Sequence, residues 1–197
     1  MNRLFRDKEM LNKIENMLKS TGLQDQPGSI IYSSDSTLKK GKFYFLGQNP
    51  GGNNEQKYGE DTIQNQLSHS GEHNEYIHGE WSGLKGEIHQ HNIKKMFEDL
   101  KIDISDVFST NLSFIRSGRT ETYKGNMDDD INLFWPIHEY FLSIIQPRFV
   151  ITNGAKPRDY FKKKMFQIHS QKRKTMKNYG RYKHIATSFI GSLRVGE

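Results

Sequence analysis

The chain has 197 residues, a formal net charge of +6 and no cysteine. Its length suits one domain over residues 1–197 with a sizeable core, and the missing cysteines exclude disulfides, thiolate zinc sites, iron–sulfur clusters and cysteine nucleophiles. No apolar run approaches the roughly 18 residues of a membrane span, and the first residues hold no apolar signal core, so a monomeric cytoplasmic protein without a membrane partner is expected.

Residues Arg6–Lys19 predict an amphipathic helix, with Met10, Leu11, Ile14, Met17 and Leu18 at three- and four-residue spacing. Gly22 and the segment 24–28 end it. Lys42–Leu46 is an aromatic run apolar on both faces, as in an interior parallel strand. The polar region 53–86 predicts a long loop, a kind of segment that is usually functional. Glu87–Lys101 predicts a second helix, and Asp106–Asn111 a second strand. Asp128 is the expected N-cap of a further helix that Pro147 ends, with a kink or a late start near Trp135 because Pro136 lies inside it. Arg148–Gly154 predicts a third strand, Lys156–Phe166 a helix and Tyr182–Phe189 a fourth strand.

Strands alternating with helices predict an α/β fold, a layered sandwich around a mostly parallel four-stranded sheet flanked by helices. Ligands in such folds sit at the carboxyl ends of the strands. There the sequence places Gln48 and Asn49, Thr110 and Asn111, Thr152 and Asn153, and Thr187 and Ser188. Asparagine does not ionise. It can hold a water, or offer a paired donor and acceptor to the edge of a nucleobase. Pro50 and the glycines beside it form a tight loop whose backbone N–H groups can approach a ligand oxygen. Such a set suits cleavage of a bond with a good leaving group, where the enzyme orients water and stabilises charge. The bland alternative is a group of turn-forming amides at strand ends.

Charge adds a partner. Residues 156–183 hold eleven Lys or Arg against one acid, Asp159. A phosphate backbone is the natural target for such a segment, which includes Lys156 and Arg158, although lysine-rich faces also occur on ordinary surfaces. His69, His73, His78, His89 and His91 cluster in sequence, but Gly71 and Gly79 argue against the helical spacing a zinc pair needs. Asp128, Asp129 and Asp130 read as an acidic first turn rather than a nuclease metal site. No metal and no organic cofactor is expected.

The stretch "FLGQNPGG" (45–52) resembles the first signature of the uracil-DNA glycosylase superfamily, whose members carry G-Q-D-P-Y-H, G-I-N-P-G or G-M-N-P-G after the first strand. "DVFSTNL" (106–112) resembles the second strand of that superfamily. "FWPIHEYFLSIIQPRFVITNGAKPRDYF" (134–161) resembles the helix, proline, strand and glycine that follow, and "HIATSFIGSLR" (184–194) falls where the last motif should lie. The resemblance spans roughly residues 40–194. It implies a uracil-DNA glycosylase-like three-layer fold and a monofunctional DNA glycosylase that flips a uracil, or a modified or mismatched pyrimidine, out of single- or double-stranded DNA. It implies that Asn49 positions the attacking water, that Gln48 adds contacts from the same loop, and that Gly47, Pro50 and Gly51 line the base pocket. Gly51 stands where the uracil-specific branch has a tyrosine that excludes a 5-methyl group, so a roomier pocket follows, able to take a bulky 5-modified base such as those of phage DNA. Asn111 would hydrogen-bond the base, and Tyr58, Tyr76 or Trp81 would stack on it.

The last motif departs from the pattern. No His-Pro-Ser is present. If Gly191 matches the glycine of N-P-S-G-L-S-R, then Ser188, Phe189 and Ile190 replace N-P-S and Arg194 matches the arginine. Ile190 or Leu193 would be the wedge that holds the base out. The lost histidine leaves two other readings, a catalytically weak or inactive nucleic-acid-binding member and a hydrolase of free nucleosides or nucleotides. No lysine is placed by a motif to form a Schiff base, so no strand cleavage is expected.

Overall fold

The computed structural model describes residues 3–51, 62–68, 71–79, 84–118, 123, 125–173 and 183–184. In chain order the main elements are α1 (Arg3–Lys19), β1 (Phe43–Gly47), α2 (Ile63–Ser68), α3 (Leu84–Asp99), β2 (Phe108–Asn111), α4 (Met127–Ile145), β3 (Phe149–Thr152) and α5 (Ala155–Arg173). The fold is α/β, built on an open parallel sheet in the order β2-β1-β3. Of the expected fourth strand only Lys183–His184 is described, a two-residue pairing parallel to the outer side of β3; the remainder of 182–189 lies outside the described residues.

Both faces of the sheet are buried, which explains why β1 is apolar at every position. Successive side chains of a strand point to opposite faces. Tyr44 and Leu46 join Phe108 and Val150 in a core shared with Ile14 and Leu18 of α1, Ile131, Phe134 and Phe141 of α4, and Phe161 of α5. Phe45 and Ile151 point the other way, into a smaller core with Ile93 and Phe97 of α3, Tyr32 and Tyr76. Phe45 meets both Phe97 and Tyr76 edge to face.

The region 53–86 is not wholly loop. It contains α2 and a turn at 71–79, and the turn's Tyr76 is 2% exposed. Gln90 fastens that turn, its two Nε2 hydrogens shared among the carbonyls of Glu75, Tyr76 and Gly79. The buried segment 28–33 carries no regular element, yet it shields the outer edge of β2. Ile31 bridges Thr110, Tyr32 N donates to Ser109 O, and Thr110 Oγ1 donates to Ile30 O at 2.6 Å. An edge strand left open would offer its backbone to other chains.

Two expectations for α4 are corrected. The N-cap is Asn126, whose side chain accepts from Asp128 N at 3.0 Å, and Asp128 lies in the first turn, where a carboxylate favours the helix dipole. The helix also starts at Met127 and runs through Pro136 rather than beginning near it. A proline costs an internal helix about 3 kcal/mol. Burial of Ile131, Phe134, Trp135, Ile137, Phe141, Leu142 and Ile145 offsets that several times over, at roughly 1.5–3 kcal/mol for each large side chain.

His138 of α4 is buried between two partners. A carbonyl can only accept, so His138 Nε2 carries the proton and donates to Leu112 O at 3.0 Å, while Nδ1 accepts from Tyr44 OH at 3.1 Å. Burial pushes its pKa down to about 4, against the small opposing effect of the Leu112 carbonyl. The unfolded chain therefore takes up this proton first, and acid favours unfolding. The contribution of this group to stability is fully present above about pH 6.5 and is lost as the pH falls toward 4. Urea titrations should show a loss of about 2 kcal/mol between pH 7 and pH 5, and His138→Gln should remove most of that difference. A pH-independent wild type would refute the assignment.

Candidate functional site

The carboxyl ends of β1 and β2 lie side by side, Gly47 opposite Asn111. A Cβ on residue 47 would overlap Asn111 Oδ1, so any larger residue there displaces that amide. Backbone bonds continue past the strands. Leu112 N donates to Gly47 O, Ser113 N to Gln48 O and Ser117 N to Pro50 O, each at 2.9 Å. Asn49 closes the arrangement, its Nδ2 donating to Pro50 O at 2.8 Å and Ser117 O at 2.9 Å. Its amide plane is thereby fixed, leaving Oδ1 as the acceptor, which Gln48 Nε2 approaches at 3.5 Å. Gln48 Nε2 also points toward Met127 Sδ at 4.0 Å.

Asn111 is 3% exposed. Its Nδ2 is buried and has no hydrogen-bond partner of proper geometry. The Tyr32 hydroxyl is its polar neighbour, and a hydrogen bond with the Asn111 side chain is among the causes acting on the Tyr32 pKa. Burial is the main cause that raises the Tyr32 pKa, assisted by the Glu75 carboxylate and opposed by Arg116 and Asn111, so the group remains a neutral hydroxyl. A buried donor without an acceptor costs about 1–3 kcal/mol. Arg116 adds a second such atom. Its Nη1 donates to Gly51 O at 3.0 Å, but its Nε is buried without a partner. Gly51 itself is exposed, and a Cβ there would meet nothing within 4 Å.

The structure thus brings together Gly47, Gln48, Asn49, Pro50, Gly51 and Asn111. Asn153, after β3, donates its backbone N–H to Leu46 O at 2.9 Å, and its side chain meets His89 Nε2 at 3.2 Å. Burial lowers the pKa of His89. Tyr76 is a core residue tilted against Tyr32, with its ring centroid 5.7 Å away, rather than an open stacking surface. Lys156 and Arg158 lie in the first turn of α5, each beside a carboxylate: Lys156 Nζ is 2.7 Å from Asp128, and Arg158 makes bonds of 2.8 and 3.1 Å to Asp159. Tyr58, Trp81, Thr187, Ser188, Ile190, Gly191, Leu193 and Arg194 lie outside the described residues, as does His69. Among the described residues no group of three or more His, Cys, Asp or Glu is assembled to hold a metal.

Tyr32 and Arg116 are absent from the motif reading. The apolar triplet Ile30–Tyr32 was the available signal for the first. An arginine closing the apolar run Phe114–Ile115 was the signal for the second. No protein-family model matches the chain, and no curated protein matches it either.

The two loop glycines should respond differently to a methyl group. Gly47→Ala forces Asn111 from its place and should cost about 1–3 kcal/mol in urea denaturation. Gly51→Ala enters open space and should stay within about 0.5 kcal/mol of the parent. Equal effects would contradict the close approach of Asn111 to β1.

Proposed function

We propose that the chain is a monofunctional DNA glycosylase that hydrolyses the N-glycosidic bond of a flipped pyrimidine and leaves an abasic site. The observation that carries this reading is the buried, unpartnered amide nitrogen of Asn111 at the carboxyl end of the sheet. A base carbonyl supplies the acceptor it lacks, and enclosing a flipped base is what makes such a donor worth its cost. Asn49, fixed through Nδ2, presents Oδ1 to a water. The C1′–N bond breaks with its electron pair going to the base, water adds to the sugar carbon, and the surplus proton leaves to solvent. The chain's residues orient and stabilise; none acts as a strong base. The open space at Gly51 supports a 5-substituted base.

The same proposal includes a uracil-DNA glycosylase-like fold and a monomer acting on cytoplasmic DNA. A second reading, a nucleic-acid-binding protein without activity, draws support from Asn49 itself, whose amide nitrogen is occupied in holding the loop.

A base-release assay in EDTA separates the two. Oligonucleotides carrying U opposite G, U opposite A, single-stranded U, T opposite G, and hydroxymethylated or glucosylated C are incubated with the protein and then treated with hot alkali. Alkali-dependent breaks are expected, lowered at least a hundredfold in Asn111→Ala, and lowered in Asn49→Ala beyond what its loss of folded protein explains. Gly51→Tyr should retain uracil release and lose release of 5-substituted bases. Absence of breaks on every substrate, with DNA binding intact, would favour the binding protein.

A further inference from the structure

Gln48 is held from two directions. Ser113, two residues beyond β2, donates its backbone N–H to Gln48 O at 2.9 Å. Met127, the first residue of α4, meets Gln48 Nε2 through its Sδ at 4.0 Å. Tyr123 joins these two supports to each other. Its hydroxyl lies 2.8 Å from Ser113 Oγ and 2.8 Å from Oδ2 of Asp130, in the first turn of α4. Chemistry fixes the direction of both bonds. A carboxylate can only accept, so the single phenolic proton goes to Asp130, and the Ser113 hydroxyl donates to the Tyr123 oxygen. Ser113 Oγ in turn accepts from Ile115 N at 3.2 Å. The contacts close a ring that runs from Gln48 through Ser113, Tyr123 and Asp130, along one helical turn to Met127, and back to Gln48.

Ser113 is fully buried and Tyr123 half-buried. Burial raises the Tyr123 pKa, opposed by the Ser113 bond and assisted by Asp130, so the hydroxyl keeps its proton at neutral pH. A bond to an ionised carboxylate is stronger than one between neutral groups, and bonds in a chain polarise one another. The Tyr123–Asp130 bond therefore tightens the segment that carries Ser113. The same segment accepts from Asn49 Nδ2 at Ser117 O, 2.9 Å away. Its movement would shift Gln48 and Asn49 together. Asn111 belongs to β2 and is held by its pairing with Gly47, so it would stay.

We propose that Tyr123 and Asp130 are positioning residues that latch the loop after β1 onto α4, and so set Gln48 and Asn49 for the bond-breaking step without touching the substrate. This rests on the glycosylase reading for the reaction; the latch itself rests on the geometry alone.

The test uses three variants. Tyr123→Phe keeps the ring and removes the hydroxyl. Asp130→Ala removes the acceptor, and Asp130→Asn keeps an acceptor oxygen. Thermal melts check folding. Two quantities are read: hydrogen exchange at the Ser113 amide, and kcat and KM, per folded molecule, on the oligonucleotide that wild type cleaves best. Tyr123→Phe should speed Ser113 exchange roughly fivefold, with the β3 amides of Val150 and Ile151 unchanged. Its kcat should fall about tenfold or more, while KM changes less than about threefold. Asp130→Ala should match it in both readouts, and Asp130→Asn should recover most of the lost rate. The double variant of Tyr123→Phe with Asp130→Ala should be no slower than either single one, because both break the same chain. Unchanged Ser113 exchange in Tyr123→Phe overturns the latch. Faster exchange with kcat unchanged, or a loss confined to KM, overturns the positioning role. Faster exchange in Tyr123→Phe and Asp130→Ala, with no base release by wild type from any oligonucleotide, would remove the glycosylase reading and keep the latch. Base release with both readouts unchanged in the variants would do the reverse.

Discussion

The loop after β1 is held by its neighbour rather than by itself. A Gly-Gln-Asn-Pro-Gly-Gly stretch has little intrinsic order, since glycine loses more backbone freedom on folding than any other residue. Three backbone donors of residues 112–117 fix it, together with the two bonds given by Asn49. At about 0.5–1.5 kcal/mol each, these bonds are comparable to the cost of ordering a few residues. The segment that supplies them is fixed in turn: Leu112 O accepts from His138, Ser29 N donates to Phe114 O, and Arg116 N donates to Pro27 O. The order of the loop therefore derives from α4 and from the segment 27–33, neither of which contains its motif.

This dependence explains why polar atoms remain unsatisfied here. Backbone groups of the two loops consume one another, and Asn49 spends its donor on carbonyls. What remains at the end of β2 are side-chain donors, Asn111 Nδ2 and Arg116 Nε. A buried network that is incomplete costs more than an apolar one, so an incomplete network held this firmly is an indication of a binding site.

The elements legible in sequence were those whose periodicity reflects burial. β1 and β3 read as continuous apolar runs because both faces of the sheet are covered, and the period of α1 survives in its buried Ile14 and Leu18. The failures have physical causes as well. Pro136 suggested a late start that tertiary packing overrode. The Asn126 cap was hidden by three adjacent aspartates, each a plausible cap. Segment 28–33 shows no period because it pairs through isolated bridges and side-chain oxygens. The loop side of the site, Gly47 to Gly51 with Asn111, was legible through the short spacing of its glycines and amides. Tyr32 and Arg116 were not, because their place follows from that irregular segment crossing the edge of β2.

The same contrast separates the cations. The lysines and arginines of 156–183 dominate the charge pattern of the sequence, and Lys156 and Arg158 already have carboxylates at hydrogen-bond distance. Such exposed pairs are screened by solvent and hold little energy, so a phosphate can replace the carboxylate with little gain or loss. They can set long-range attraction and its salt dependence, but not which group is bound. Arg116 is one residue among 29 Lys and Arg and leaves no mark on the composition. Its Nε is buried without a hydrogen-bond partner, while Nη1 holds the Gly51 carbonyl. Its place is set by a segment of irregular backbone, through its N–H bond to Pro27 O.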